Sequence, residues 1–267
     1  MCIRDRLIAM IEVVLLITGL IAGTLGGLLG IGGCVIMLPA LAFLFKYPLP
    51  VAIGTTITAV ILTASSGAYG HIRLKNVDYS TTKVVAVSGA VGAMVGSMAF
   101  FYLSNQLWLL NLILGFAFLY VSIRMIYEGI FRKKMVERVG NEVPGSIKAK
   151  ATIGFTIGIV TGIVGLGGGY ALVPSFIYLL SSPIKIAVGT SLASFISMAV
   201  VSGAFKLYQG VVDVVAAIAL GIGTIIGAQI GARLTKIAPS WAIKATFGFV
   251  FLYVSLKFIW QGYVCLV

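Results

Sequence analysis

Apolar residues fill this chain in runs of about twenty, broken by short polar turns, and they show no strand-like alternation. The runs are LIAMIEVVLLITGLIAGTLGGLLGIGG (7–33), VAIGTTITAVILTASSGAYG (51–70), VVAVSGAVGAMVGSMAFFYL (84–103), LWLLNLILGFAFLYVSI (107–123), VGTSLASFISMAVVSGAF (188–205), VVAAIALGIGTIIGAQIGA (214–232) and AIKATFGFVFLYVSLKFIW (242–260). Each is about the length that crosses a bilayer once. Lipid offers the backbone no hydrogen bonds, so such runs must be helices. The pattern predicts an all-α, polytopic membrane protein.

One stretch is shorter. Residues 151–164 would make about 21 Å of helix against a hydrocarbon core of about 30 Å. The next apolar piece, YALVPSFIYLLS (170–181), is no longer, and glycines crowd the chain between them. Two short helices meeting at such a break form either a hairpin that dips in and returns or a pair of tilted spans interrupted at depth.

Shifted by 135 residues, the chain matches its own glycine pattern. Gly19, Gly23, Gly27, Gly30, Gly32, Gly33 and Pro39 fall on Gly154, Gly158, Gly162, Gly165, Gly167, Gly168 and Pro174. Gly54-Thr55 falls on Gly189-Thr190 and Asp78 on Asp213; after a two-residue slip, GFAFLYVSIRMIYEG (115–129) matches GFVFLYVSLKFIWQG (248–262). The expected organisation is two homologous transmembrane repeats, 1–131 and 151–267, joined by a charged cytoplasmic linker, 132–150. Each repeat would hold a short broken-helix pair and three full transmembrane helices.

Charge bears on orientation. With the second repeat inverted and the first terminus outside, fourteen of the nineteen Lys and Arg residues face the cytoplasm; a parallel arrangement gives the same score. Discounting the opening MCIRDR, which fits nothing that follows and suggests a start nearer Met10, favours the inverted arrangement. The run after it lacks a clear cleavage site, which points to an uncleaved first helix rather than a signal peptide.

Composition agrees with a membrane protein. Of 267 residues, 60% are hydrophobic and 10% charged, where a soluble domain carries about a quarter charged. The net charge of +12 is spread over short loops and the linker, so it reads as cytoplasm-facing loops rather than a nucleic-acid surface. Cys2, Cys34 and Cys265 are too scattered for a disulfide framework or a zinc site. No metal or cofactor is expected. With a single histidine and no cluster of nucleophile, base or metal ligands, an enzyme is disfavoured.

Backbone bared at membrane depth is tolerated only against protein or a watery cavity, and transporters use such breaks to bind solutes. A helix that starts there presents unpaired N–H groups and a positive dipole end, which can hold an anion without a fixed charge. Gly30, Gly32, Gly33, Gly165, Gly167, Gly168 and Gly169 are therefore candidate substrate-binding positions. The glycines at four-residue spacing (Gly19, Gly23, Gly27, Gly154, Gly158 and Gly162), with Gly92, Gly96, Gly227 and Gly231, read as helix packing.

A second cluster, GTTITA (54–59) and GTSLAS (189–194), offers the hydroxyls of Thr55, Thr56, Thr190, Ser191 and Ser194 as uncharged donors. The same hydroxyls could instead bond their own helix or a neighbour. All seven acids fall near span ends or outside; Asp78 and Asp213 read as helix N-caps, and His71 as an interfacial loop residue. Lys46, Lys185 and Lys206 either guide anions to a mouth, sit in cytoplasm-facing loops or snorkel to the interface.

GLLGIGGCVIMLPAL and GIVGLGGGYALVPSF, each followed by a proline loop and AIGTT or AVGTS, resemble the paired signature of the sulfite exporter TauE/SafE family, also called the toluenesulfonate uptake permeases. The resemblance covers nearly the whole chain. It implies a multi-pass permease of the cytoplasmic membrane for small sulfur-containing anions such as sulfite or organosulfonates, with a proton or sodium ion as coupling partner. The family's glycine turns map to Gly30, Gly32, Gly33, Gly165, Gly167 and Gly168, and its polar turns to Thr55, Thr56, Thr190 and Ser191. The first repeat departs from it by having Cys34 where the second has Gly169. The alternative is a channel, or a cation-coupled carrier of another small solute.

Overall fold

The structure is a computed structural model that describes residues 3–29, 33–130, 140–166, 170–234 and 240–266; of 3–9, 27–29, 231–234 and 240–246 only the backbone is described. The described residues hold ten α-helices and no strand. They are α1 (Ile3–Leu29), α2 (Cys34–Pro39), α3 (Leu49–Arg73), α4 (Tyr79–Leu103), α5 (Leu107–Ile130), α6 (Ile147–Val164), α7 (Leu172–Pro174), α8 (Ile184–Tyr208), α9 (Val214–Leu234) and α10 (Ser240–Val264). By length and composition six are able to cross a membrane: α3, α4, α5, α6, α8 and, within α10, Phe247–Val264. Large apolar side chains lie exposed on the long helices, among them Ile17, Val87, Phe116, Val200 and Ile226. A surface of this kind is stable against lipid, not water.

The two short helices end in the same way. α2 passes at Pro39 into a π-helical turn, Ala40–Leu44, and α7 passes at Pro174 into Ser175–Leu179. Proline has no N–H to continue the α ladder, and the next rungs are wider: Phe45 N–H donates to the Ala40 carbonyl and Leu180 N–H to the Ser175 carbonyl. Lys46 and Ser181 then take left-handed backbone angles, φ 56° and 60°, which turn the chain into Pro48 and Pro183 at the starts of α3 and α8.

Helix α1 packs along α9, α6 along α4, and α5 along α10; α3 and α8 cross each other at the centre, with α9 on α3 and α4 on α8. The 135-residue shift turns the α1–α9 pair into α6–α4 and the α3–α9 pair into α8–α4. Glycine makes the close pairs. A Cβ added at Gly19 or Gly23 would run into the backbone of Leu220 or Thr224 on α9, and one at Gly154, Gly158 or Gly162 into that of Val85, Gly89 or Ala93 on α4. Gly92, Gly96 and Gly227 meet backbone from the other side of the same contacts. The side-chain surroundings of Gly27 and Gly231 lie outside the described residues.

Four expectations need correction. α6 has 18 residues rather than 14, because the helix begins four residues inside the linker, capped by the Ser146 hydroxyl. α1 runs 27 residues from Ile3, so its opening residues join the first helix and it is not short. His71 lies in the last turn of α3 instead of a loop. Lys206 does not snorkel: it is wholly buried.

Close packing of this kind has a direct test. Gly158→Leu forces α6 off α4 and should lower the melting midpoint in detergent strongly, since overpacking costs about 1–3 kcal/mol. Gly70→Ala, where a new Cβ meets nothing within 4 Å, should leave it unchanged or slightly higher. Equal effects from the two would remove glycine packing as the basis of the pairing.

Candidate functional site

The second glycine corner forms where α6 stops. Gly165 is left-handed (φ 68°), a conformation that glycine alone adopts without strain, and its N–H donates to the Thr161 carbonyl to close the helix. At the first corner, the Gly33 carbonyl accepts from Ile36 and Met37 N–H and so starts α2, while a Cβ on Gly33 would press against Ala22 of α1. Gly30, Gly32, Gly167, Gly168 and Gly169 lie outside the described residues.

The fold brings the second corner to the polar turn of the other half. A Cβ on Gly165 would meet the Ile53 side chain and carbonyl, next to Gly54, Thr55 and Thr56 on α3. All five hydroxyl candidates are fully buried. Thr55 Oγ1 accepts the backbone N–H of Asp213, and Thr190 Oγ1 accepts that of Asp78, both at 3.0 Å. These two bonds are images of each other under the 135-residue shift, and each ties one half of the chain to the other. Gly54 and Gly189 permit the approach, because a Cβ there would strike the carbonyl of Val211 or Asn76. Ser191 Oγ donates to the Val188 carbonyl and Ser194 Oγ to that of Thr190. Thr56 Oγ1 is buried with no hydrogen-bond partner.

Asp78 and Asp213 are N-caps. Asp78 accepts from Ser80 and Thr81 N–H with one oxygen and from the Thr81 hydroxyl and Val143 N–H with the other. Burial alone would raise its pKa, yet these hydrogen bonds and the charge of Lys150 outweigh it and hold the carboxyl below its ordinary value. Asp213 accepts from Ala216 N–H and from the Tyr47 hydroxyl at 2.8 Å. Burial, together with that bond to a carboxylate, pushes the Tyr47 phenol up to about 12.

A cation stands beside each short helix, a feature that sequence reasoning missed. Arg124 of α5 lies over the Tyr178 ring (5.4 Å), donates to the Tyr170 carbonyl (3.2 Å) and pairs with Glu128 (2.8 Å), which also accepts from the Tyr178 hydroxyl. Arg124, Tyr127, Glu128 and Tyr178 line a pocket of about 250 Å³. Lys257 of α10 lies over the Phe43 ring at 4.2 Å. The signal was available, since the shifts that align the halves carry Arg124 onto Lys257 and Phe43 onto Tyr178.

Long apolar helices, paired proline-broken short helices and a glycine corner packed against a buried hydroxyl turn define a polytopic membrane protein of the transporter class. The match to the model of the sulfite exporter TauE/SafE family covers residues 15–258, and the chain belongs to that family. It is 30% identical to the probable membrane transporter protein YunE of Bacillus subtilis, over 94% of this chain and 98% of that protein. A probable membrane transporter protein of Xylella fastidiosa is 26% identical over 94% and 95%, and MJ0441 of Methanocaldococcus jannaschii, named likewise, 25% over 84% and 87%. No solved structure matches the chain significantly. Family and relatives indicate a multi-pass membrane transporter rather than an enzyme.

Arg124→Ala should loosen the second short helix: hydrogen exchange across 170–180 should rise about tenfold while that of α3 and α8 holds, and an unchanged rate would show that Arg124 does not brace it. Asp78 should contribute stability above its unfolded pKa of about 3.9 and lose that contribution as pH falls through its lower folded value. Asp78→Ala should therefore lower the melting midpoint at pH 7, by about 1 kcal/mol for the cap alone, and the gap from wild type should narrow in acid.

Proposed function

We propose that this protein is a secondary carrier of small sulfur-containing oxyanions, sulfite or organosulfonates, across the cytoplasmic membrane. In this reading residues 1–131 and 151–267 are duplicated halves of opposite orientation joined by the 132–150 linker. The anion is held between the glycine corners and the hydroxyl turns, and rocking of one helix group against the other exposes it to either side. A proton or sodium ion drives the cycle.

The observation that carries this reading is the seat of the Gly165 corner on Ile53, beside Thr56, whose buried hydroxyl has no hydrogen-bond partner. A buried hydroxyl without a partner costs free energy. An oxyanion supplies the missing acceptor, and Thr56 Oγ1 would donate to it. The mirrored bonds of Thr55 and Thr190 support the duplication and give those two residues the further duty of holding the halves together.

Proteoliposomes carrying the purified protein should take up labelled sulfite or an organosulfonate saturably, and imposing proton and sodium gradients separately identifies the driving ion. Thr56→Val should cut flux about tenfold with the melting midpoint nearly unchanged, and Gly167→Leu should abolish it in inserted protein. Undiminished flux in both variants would move the pathway elsewhere; saturable uptake of a cation with no anion flux would reverse the substrate class.

A further inference from the structure

Among the described residues the most deeply buried ionisable side chain of the Lys, Arg, Asp and Glu types is on α8. Lys206 is fully buried two residues before the end of that helix, its Nζ 2.9 Å from the Gly162 carbonyl and 3.1 Å from the centre of the Phe100 ring. Gly162 lies three residues before Gly165, so its carbonyl belongs to the last turn of α6, where helical carbonyls lack partners and carry partial negative charge. The ammonium thus stands at the glycine corner.

Its surroundings do not balance it. No described carboxylate forms an ion pair with Lys206, and one carbonyl and one ring face do not offset an ammonium buried in a low-dielectric place. Ionisable residues within membrane spans are rare and mark solute pathways. Lys206 has three N–H donors and makes a single hydrogen bond.

Polar groups collect along the same stripe of α8. Ser202, one turn earlier, has its hydroxyl 3.4 Å from that of Ser97 on α4. Gln209, one turn on, donates to the Ser97 carbonyl and keeps its Oε1 buried without a partner. Thr161, beside Gly162, also has a buried hydroxyl oxygen without a partner. A lysine that only capped α6 would need none of these groups.

We propose that Lys206 is the cationic donor of an oxyanion site at the junction of α4, α6 and α8, holding its proton when the anion is bound. The anion enters by taking the ammonium from the Gly162 carbonyl, and the neighbouring hydroxyls bind its remaining oxygens. The site rests on the anion reading above and adds to it a residue that supplies net charge, which backbone amides do not. Its ligand class is a small three-oxygen head group, as in sulfite or a sulfonate. The two halves are unequal here, because the 135-residue shift carries Lys206 onto His71, whose Nδ1 is buried without a partner.

The test is anion-dependent melting of the protein in lipid nanodiscs. Sulfite or ethanesulfonate, against gluconate at equal ionic strength, should raise the wild-type midpoint saturably. Lys206→Met should weaken that response at least tenfold in concentration, and Lys206→Arg should retain most of it. No rise in the wild type, or an equal rise in Lys206→Met, overturns the site.

Where Lys206→Met does not fold, the wild type carries the test. Trinitrobenzenesulfonate, itself a sulfonate, should label Lys206, and ethanesulfonate should slow that labelling but not the labelling of exposed Lys148, read by peptide mass spectrometry. A Lys206 that stays unlabelled, or labels equally fast with ethanesulfonate present, overturns the proposal. Flux separates the two readings: Lys206-dependent binding without wild-type transport sinks the carrier and leaves the site, whereas transport with an undiminished response in Lys206→Met sinks the site and leaves the carrier.

Discussion

Backbone meets backbone where α6 lies on α4 and α1 on α9, at Gly158 and Gly162 on Gly89 and Ala93, and at Gly19 and Gly23 on Leu220 and Thr224. In lipid there is no hydrophobic gain in pressing one apolar helix against another, so association depends on close van der Waals fit and on polar contacts that lipid cannot provide. Glycine at four-residue spacing gives that fit over several turns. It also sets the position of everything else, since α6 carries the second glycine corner and its seat on α4 aims that corner at α3. A shift in this seat would separate Gly165 from Ile53 and the Gly162 carbonyl from Lys206.

Polar contacts supply the second kind of attachment, and they are crossed. Thr55 on α3 receives the N–H that begins the cap of α9, and Thr190 on α8 receives the one that begins the cap of α4. Ser122 and Ser255 repeat the theme on α5 and α10, each hydroxyl donating to the Gly248 or Gly115 carbonyl of the other helix. A buried hydrogen bond between helices satisfies groups that would otherwise be costly in lipid. Thr55 and Thr190 thus each accept a bond that holds the assembly together, and Thr56 is the hydroxyl of that turn with no hydrogen bond of either kind.

The matched positions are not chemically equal, and the differences gather near the corners. Lys206 answers to His71, Cys34 to Gly169, and Arg124 to Lys257. Helix contacts and caps follow the 135-residue relation closely, whereas Lys206 has a histidine, His71, at its matching position.

The helices, their approximate ends, the N-caps at Asp78 and Asp213 and the packing role of the spaced glycines were all legible in the sequence. Each follows from local rules: apolar length against bilayer thickness, an aspartate before a helix, or glycine on one helical face. The extra turn of α6 was missed because Ser146 caps the helix inside a stretch that charge alone marks as linker. His71 reads as loop, and Lys206 stays open between a mouth and the interface, because residues near a span end have no local signal that tells lipid interface from protein interior.

By itself, then, the sequence determined the solvent, the helical class and the family, since these are written in apolar run lengths and in motifs within about thirty residues. Tertiary structure alone decided that Thr55 is spent on Asp213, that Gly165 rests on Ile53 and that Lys206 points inward to Gly162. Those contacts join residues 44 to 158 positions apart, and they exist only because particular helices cross, which is a property of how the surfaces fit together and not of any one stretch of chain.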